Sequence, residues 1–265
     1  MVDPDRPGTP DPLAPLVALP GVAPAVARAR DALAALHAHP VNRRGWPATA
    51  AQAGLRAARA SAALDGAPLS EPVDGAVTDP VLAGAVRVAR DSGRLLAVWR
   101  ASPLQALARL HVLAAADLVP AARLGRPRSD PATSARLAAL AALVTGATAA
   151  PAPVLVAVVH GELLALAPFG SADGVVARAA ARLAAVSTGL DPRGLAVPEV
   201  GHLRREREYR AAAAAFAGGT PAGVGGWLLH CCTQWTAGAR EGRSIADAQG
   251  GGPDGDERGG TAGSP

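Results

Sequence analysis

Along most of the chain Leu, Val and Ala recur three and four positions apart, and the stretches that keep this period are separated by Pro and Gly. Such a period places apolar side chains on one face of a helix. It predicts helices at about 25–37, at 47–66 (with Leu55, Ala58, Ala62 and Leu64 on one side) and at 81–91. Leu104, Leu107, Leu110, Leu113 and Leu118 mark a fourth. Asp130 before Pro131 caps a fifth that carries Leu137, Leu140, Leu143 and Val144 and ends at Gly146. After Pro153 the run VLVAVVHGELLAL begins like a buried strand, but Leu155, Val158, Val159, Glu162, Leu163 and Leu166 fit a helix better over the full length. Further helices follow at 174–187, 202–216 and 224–241, the last with Trp227, Cys231 and Trp235 on one stripe that reads as core. The expected class is all-α. One helical domain spans 21–246, between a mostly disordered segment at 1–20 and a disordered Gly-rich tail at 247–265.

Composition refines this picture in two ways. Hydrophobic residues are 49% of the chain but aromatics only 3%, so Ala, Leu and Val must fill the core, which favours close helix contacts. Every one of the 26 basic residues is Arg, and they are interleaved with Asp and Glu; with a net charge of +4 no basic stripe forms, and nucleic acid is not an expected partner. The 2 cysteines, Cys231 and Cys232, are adjacent and give neither a disulfide framework nor zinc-ligand spacing. Neighbouring His230 does not change that, because consecutive helical residues point about 100° apart. No metal site is expected. The uncharged stretch 137–161 is divided by Gly146, Pro151 and Pro153 into pieces too short to span a bilayer, so no membrane association is expected. The first twenty residues carry Asp and Pro where a signal peptide needs a basic start and an apolar run, which makes the cytoplasm the expected location.

One segment carries candidate chemistry. Residues 160–183, HGELLALAPFGSADGVVARAAARL, read as a helix, a turn of small residues and a second helix whose N-terminus faces the turn. Free amides and the dipole at such a helix start favour anions, and small residues let a phosphate approach the backbone. The segment resembles the signature of the Fic (Fido) family, His-Pro-Phe-x-[Asp/Glu]-Gly-Asn-Gly-Arg-x-x-Arg, aligned without gaps at 167–178. Pro168, Phe169, Gly174 and Arg178 match it. SAALDG at 61–66 is similar to the family's autoinhibitory motif, [Ser/Thr]-x-x-x-Glu-[Gly/Asn], with Ser61, Asp65 and Gly66 at its three defined positions. The resemblance implies a multi-helix Fido-like bundle with a central helix-turn-helix. It also implies a nucleotide-binding set of Gly170, Ser171, Asp173, Gly174 and Arg178, and an ion pair between Asp65 and Arg178.

The departures from the signature are as informative. Ala167 stands where the family's histidine is the general base for adenylyl transfer from ATP, and a methyl group accepts no proton; a base contributes typically about 10²- to 10⁴-fold in rate. Ser171 replaces the acidic metal ligand, Val175 replaces a phosphate-binding arginine, and Asp173 replaces an asparagine and is placed to cap the following helix. Ala172 puts a Cβ where the family has glycine. His160 lies about 10 Å, two turns, before Ala167 and cannot serve the same hydroxyl. The expectation is a pseudoenzyme, a binding or regulatory domain that requires no cofactor, binds ATP or Mg²⁺ weakly if at all, and whose groove holds a protein segment or a nucleotide without turning it over. Two alternatives stay open: a transferase with altered chemistry in which Asp173 is the base, and a helical interaction domain unrelated to the family. The stretch RLGRPRSD at 123–130 is a candidate for a loop beside the groove.

Overall fold

Proline sets the first turn of most helices in the computed structural model, which describes residues 10–69 and 77–250. Its missing N–H and fixed φ suit that position. The elements are α1 (Ala14–Val17), α2 (Val22–His37), α3 (Trp46–Leu64), α4 (Pro80–Ala101), α5 (Pro103–Ala115), α6 (Pro131–Val144), α7 (Ala152–Leu166), α8 (Asp173–Ser187), α9 (Pro198–Arg204), α10 (Glu206–Ala217) and α11 (Pro221–Gly250). Short 3-10 turns lie at Pro40–Arg43 and Ala121–Arg123, and no strand occurs among the described residues. Asp130 caps α6 as expected, its carboxylate accepting the Thr133 amide at 2.8 Å and the Thr133 hydroxyl at 2.7 Å.

At the centre α7 and α8 pack as a pair joined by a six-residue turn at 167–172. α7 is buried on nearly every side, from Pro153 to Leu166, which explains why its sequence shows no polar face and why four valines still form a helix: complete burial overrides β-propensity. α2, α6, α10 and α11 cover α7, whereas α3, α4 and α5 pack on α8. The Trp227 indole N–H donates to the Ala157 carbonyl at 2.8 Å, and a Cβ on Gly161 would enter the rings of Trp227 and Phe216, so α10 and α11 approach α7 closely only because that residue is glycine.

Three boundaries differ from the sequence reading. The helix expected at 81–91 continues to Ala101, because buried Leu95 and Trp99 carry its apolar face past the polar run at 90–94. The helix expected at 202–216 breaks at Arg205 (φ −121°, ψ 42°), since α9 packs on α3 and α11 while α10 turns toward α7. The expected disordered ends lie partly outside the described residues, at 1–9 and 251–265. Inside them, α1 forms, and Asp11 is tied to the Thr148 hydroxyl (2.7 Å) and the Ala149 amide (2.6 Å). α11 runs through the start of the presumed tail, where Asp247 meets His39 at 2.9 Å and Gln249 accepts from Thr49 at 2.9 Å. No described helix is long and apolar enough to cross a membrane.

Beneath α8 lies a cluster of rings from four helices: His160 of α7, His202 of α9, Tyr209 of α10, and Trp227 and His230 of α11. His160 Nε2 meets the Tyr209 hydroxyl at 2.9 Å and His202 Nδ1 meets His230 Nε2 at 3.1 Å. Burial, then the positive charges of neighbouring groups, hold His160 and His202 well below the usual imidazole pKa, so both are neutral in the folded state. In the unfolded chain they bind protons near pH 6.5. Stability therefore falls as pH drops below about 6.5, by up to roughly 1.4 kcal/mol per pH unit for each histidine. Denaturant unfolding followed from pH 8 to pH 5 checks this, and the double variant His160→Gln, His202→Gln should flatten the slope.

Candidate functional site

The turn between α7 and α8 holds two alanines in the left-handed region, Ala167 at φ 42° and Ala172 at φ 52°. Each costs on the order of 1 kcal/mol relative to glycine, a strain the surrounding contacts hold in place. Phe169 anchors the turn. Its buried ring stacks on His111 of α5, with centroids 4.3 Å apart and planes within 5°. From the other side the stretch at 123–130 does lie beside the turn, with the Arg128 amide donating to the Pro168 carbonyl at 2.8 Å and its guanidinium to the Leu166 carbonyl at 2.8 Å.

His111 fixes the role of Ser171. Its Nδ1 accepts the Gly125 amide at 2.9 Å, so the neutral ring carries its proton on Nε2 and donates it to the Ser171 hydroxyl at 3.0 Å. Burial, then Arg123, lowers the His111 pKa and keeps the ring neutral. A histidine that donates to a serine cannot take that serine's proton, so the pair is no nucleophile and base. The Ser171 hydroxyl thus faces an N–H, and among the described residues no group of three acidic, histidine or cysteine side chains is arranged to hold a metal.

Asp173 does not cap α8, as the sequence suggested. It is the first residue of the helix, after Ala172, and its carboxylate turns back to accept the Phe169 amide at 2.9 Å. The left-handed Ala172 reverses the chain there and aims the side chain over its own turn. Burial raises the Asp173 pKa above the usual carboxylate value, against hydrogen bonds from the Phe169 and Gly170 amides. One oxygen of this carboxylate is thus held by its own loop. His160 is buried against Tyr209.

The start of α8 holds a carboxylate of the protein itself. Asp65, at the end of α3, accepts the Val175 amide at 3.0 Å through one oxygen and pairs with Arg178 at 2.9 Å through the other. Gly66 at φ 96° turns the chain out of α3 immediately afterwards, which leaves Asp65 at the helix end. Arg178 is 3% exposed and fully engaged. Its Nε donates to the Ser61 hydroxyl (2.8 Å), Nη2 to the Ser61 carbonyl (2.9 Å) and Nη1 to the Tyr209 hydroxyl (3.2 Å). Burial works against the charged guanidinium, but Tyr209 and Asp65 outweigh it and raise its pKa. Gly174 is required here, because a Cβ would collide with the Asp65 carboxylate.

Of the residues singled out in the sequence, the structure gathers Ser61, Asp65, Gly66, Ser171, Asp173, Gly174 and Arg178 around the start of α8, with Gly170 exposed on the turn. A helical domain without this groove, with Asp65 remote from Arg178, is thereby ruled out. His111 and Tyr209 were missed. The first is a lone polar residue on the leucine face of α5, and the second is the chain's single tyrosine, hidden in a run of Arg and Glu; neither has a spacing that announces its role.

Gly174→Ala should lose about 1–3 kcal/mol by overpacking against Asp65, although alanine is the better helix former by about 1 kcal/mol. Unchanged denaturation midpoints would contradict the placement of Asp65. Asp173→Asn keeps an oxygen for the Phe169 amide and removes a buried charge. Because the folded-state pKa of Asp173 is raised, its ionisation destabilises the fold as pH rises above the unfolded value of about 3.8. The variant should be more stable than the parent at pH 7, the gap closing toward pH 3, as read by thermal melts across pH.

No protein-family model and no curated protein matches the chain. The solved structures do: a Fic family protein from Desulfovibrio desulfuricans G20 superposes with a TM-score of 0.65 at 21% identity, over 85% of this chain and 74% of that one. At that identity the match speaks for architecture alone. The chain has the Fic fold.

Proposed function

We propose that this domain is a Fic-fold pseudoenzyme, a binding or regulatory domain that does not transfer nucleotides. One observation carries the reading: the carboxylate of Asp65 sits on the Val175 amide and Arg178, the groups that would otherwise hold phosphate at the start of α8. A negative charge at a helix N-terminus repels a second anion at short range, and its removal would leave a buried guanidinium without its counterion. The rest of the turn offers no substitute chemistry. Ala167 stands at the base position, Asp173 is held by its own loop, and His111 donates rather than accepts. Magnesium chemistry is not part of the proposal, since the donors at Ser171 do not suit the ion. The groove beside Gly170 and the 123–130 stretch is proposed to hold a protein segment, with no cofactor.

Calorimetry with ATP, with and without Mg²⁺, tests this. The parent domain should show no saturable binding up to millimolar ATP and should place no AMP on any protein. Asp65→Ala, which frees Arg178 and the Val175 amide, should lower the melting temperature and gain binding by at least about tenfold, and adding Arg178→Ala should abolish the gain. An adenylylated target, or Asp65→Ala binding no better than the parent, would sink the proposal.

A further inference from the structure

On the far side of Arg178 from the α7–α8 turn, a cavity of about 400 Å³ lies between α3, α4 and α8. Protein interiors are close-packed, so a space of this size is an opening to be explained, and it falls in the range of small-molecule sites. It arises because both facing helices turn short side chains inward, Ala50, Gly54 and Ala58 from α3 and Ala85, Ala89 and Gly93 from α4. Nothing lies within 4 Å of a Cβ built on Gly54 or on Gly93. The walls are apolar, completed by Leu96, Leu183 and Val186.

The charges are not balanced. Three arginines line the cavity. Arg178 has Asp65, and Arg182 has Glu199 at 3.3 Å together with the Ala196 and Gly194 carbonyls. Arg193 has no acidic partner among the described residues; its guanidinium spends one N–H on the Asn42 carbonyl at 2.8 Å and lies 5.9 Å from the centre of the Trp46 ring. Trp46 is 37% exposed, a large aromatic left at the surface, and with exposed Pro192 and Gly93 it marks the mouth. An apolar chamber with one unneutralised guanidinium and an indole at its entrance suits a ligand with an apolar body and a single anionic head.

We infer that the cavity between α3, α4 and α8 binds a small amphipathic carboxylate, with its alkyl or aryl body among the alanines and its head on Arg193 beside Trp46. The inference does not depend on the fate of the phosphate position, although the inner end of the cavity is formed by Ser61 and Arg178 and so touches the residues that seat Asp65.

The test uses the full chain and monomeric decanoate as the probe, read by calorimetry and by the change in tryptophan fluorescence that Trp46→Phe should remove. Saturable binding at one site per chain is expected. Arg193→Ala should weaken it at least about tenfold, and decyltrimethylammonium should not bind. Gly54→Leu, which fills the chamber from a position with open space, should abolish binding without changing the far-ultraviolet circular dichroism, and Ala89→Leu on the facing helix is the second variant should the first not fold. Decanoate that fails to bind, that binds equally to Arg193→Ala or to the filled variants, or that is matched by the cationic amphiphile would overturn the inference. Binding only to anionic phospholipid vesicles would do so as well, because it would replace a free small acid with a membrane surface.

Discussion

Arg178 organises the centre of the molecule. A guanidinium that is 3% exposed must be hydrogen-bonded on every side, and the contacts join three helices: Arg178 on α8 meets Ser61 and Asp65 from α3 and Tyr209 from α10. Loss of one partner from a buried ion pair typically costs about 3–5 kcal/mol, less where, as with Asp65, the carboxylate is 24% exposed. The interaction is therefore weak as a net source of stability but strong as a constraint. It dictates where α3 ends, how closely α8 approaches it, and which way Tyr209 faces.

Much of the remaining arrangement follows from that constraint. Tyr209 accepts from Arg178 and meets His160, which puts a neutral histidine next to a permanent positive charge and carries the polar network into the ring cluster of α7, α9 and α11. Asp65 reaches the Val175 amide only because Gly174 has no side chain. The α7–α8 turn is held from the opposite side by Phe169 on His111 and by the Arg128 contacts, so its two left-handed alanines persist despite their strain. The Val175 amide and Arg178 thus share one protein partner, the Asp65 carboxylate.

The same helices leave space where small residues face each other. α3 presents serine and aspartate to Arg178 at its end, yet over the preceding turns it offers Ala and Gly to α4, and the cavity between them ends on the Ser61 and Arg178 pair. The polar contacts at the start of α8 and the open apolar space along the following turns are thus two results of a single short-side-chained helix packed beside a buried arginine.

The amino-acid sequence by itself determined the class and most helix starts, which rest on local chemistry, namely apolar period, proline at first turns and an aspartate cap, while the pairing of Asp65 with Arg178 was implied by the resemblance of two short motifs to a known family. Helix ends were less legible, because α4 continues through a polar run on the strength of Leu95 and Trp99, and α9 and α10 part at Arg205 to pack in different directions. The orientation of Asp173, the tautomer of His111 and the place of Tyr209 were decided only in three dimensions. Each depends on a partner remote in sequence or on one backbone angle, the Gly125 amide for His111, Arg178 for Tyr209 and the left-handed Ala172 for Asp173, and a linear pattern holds no record of such encounters.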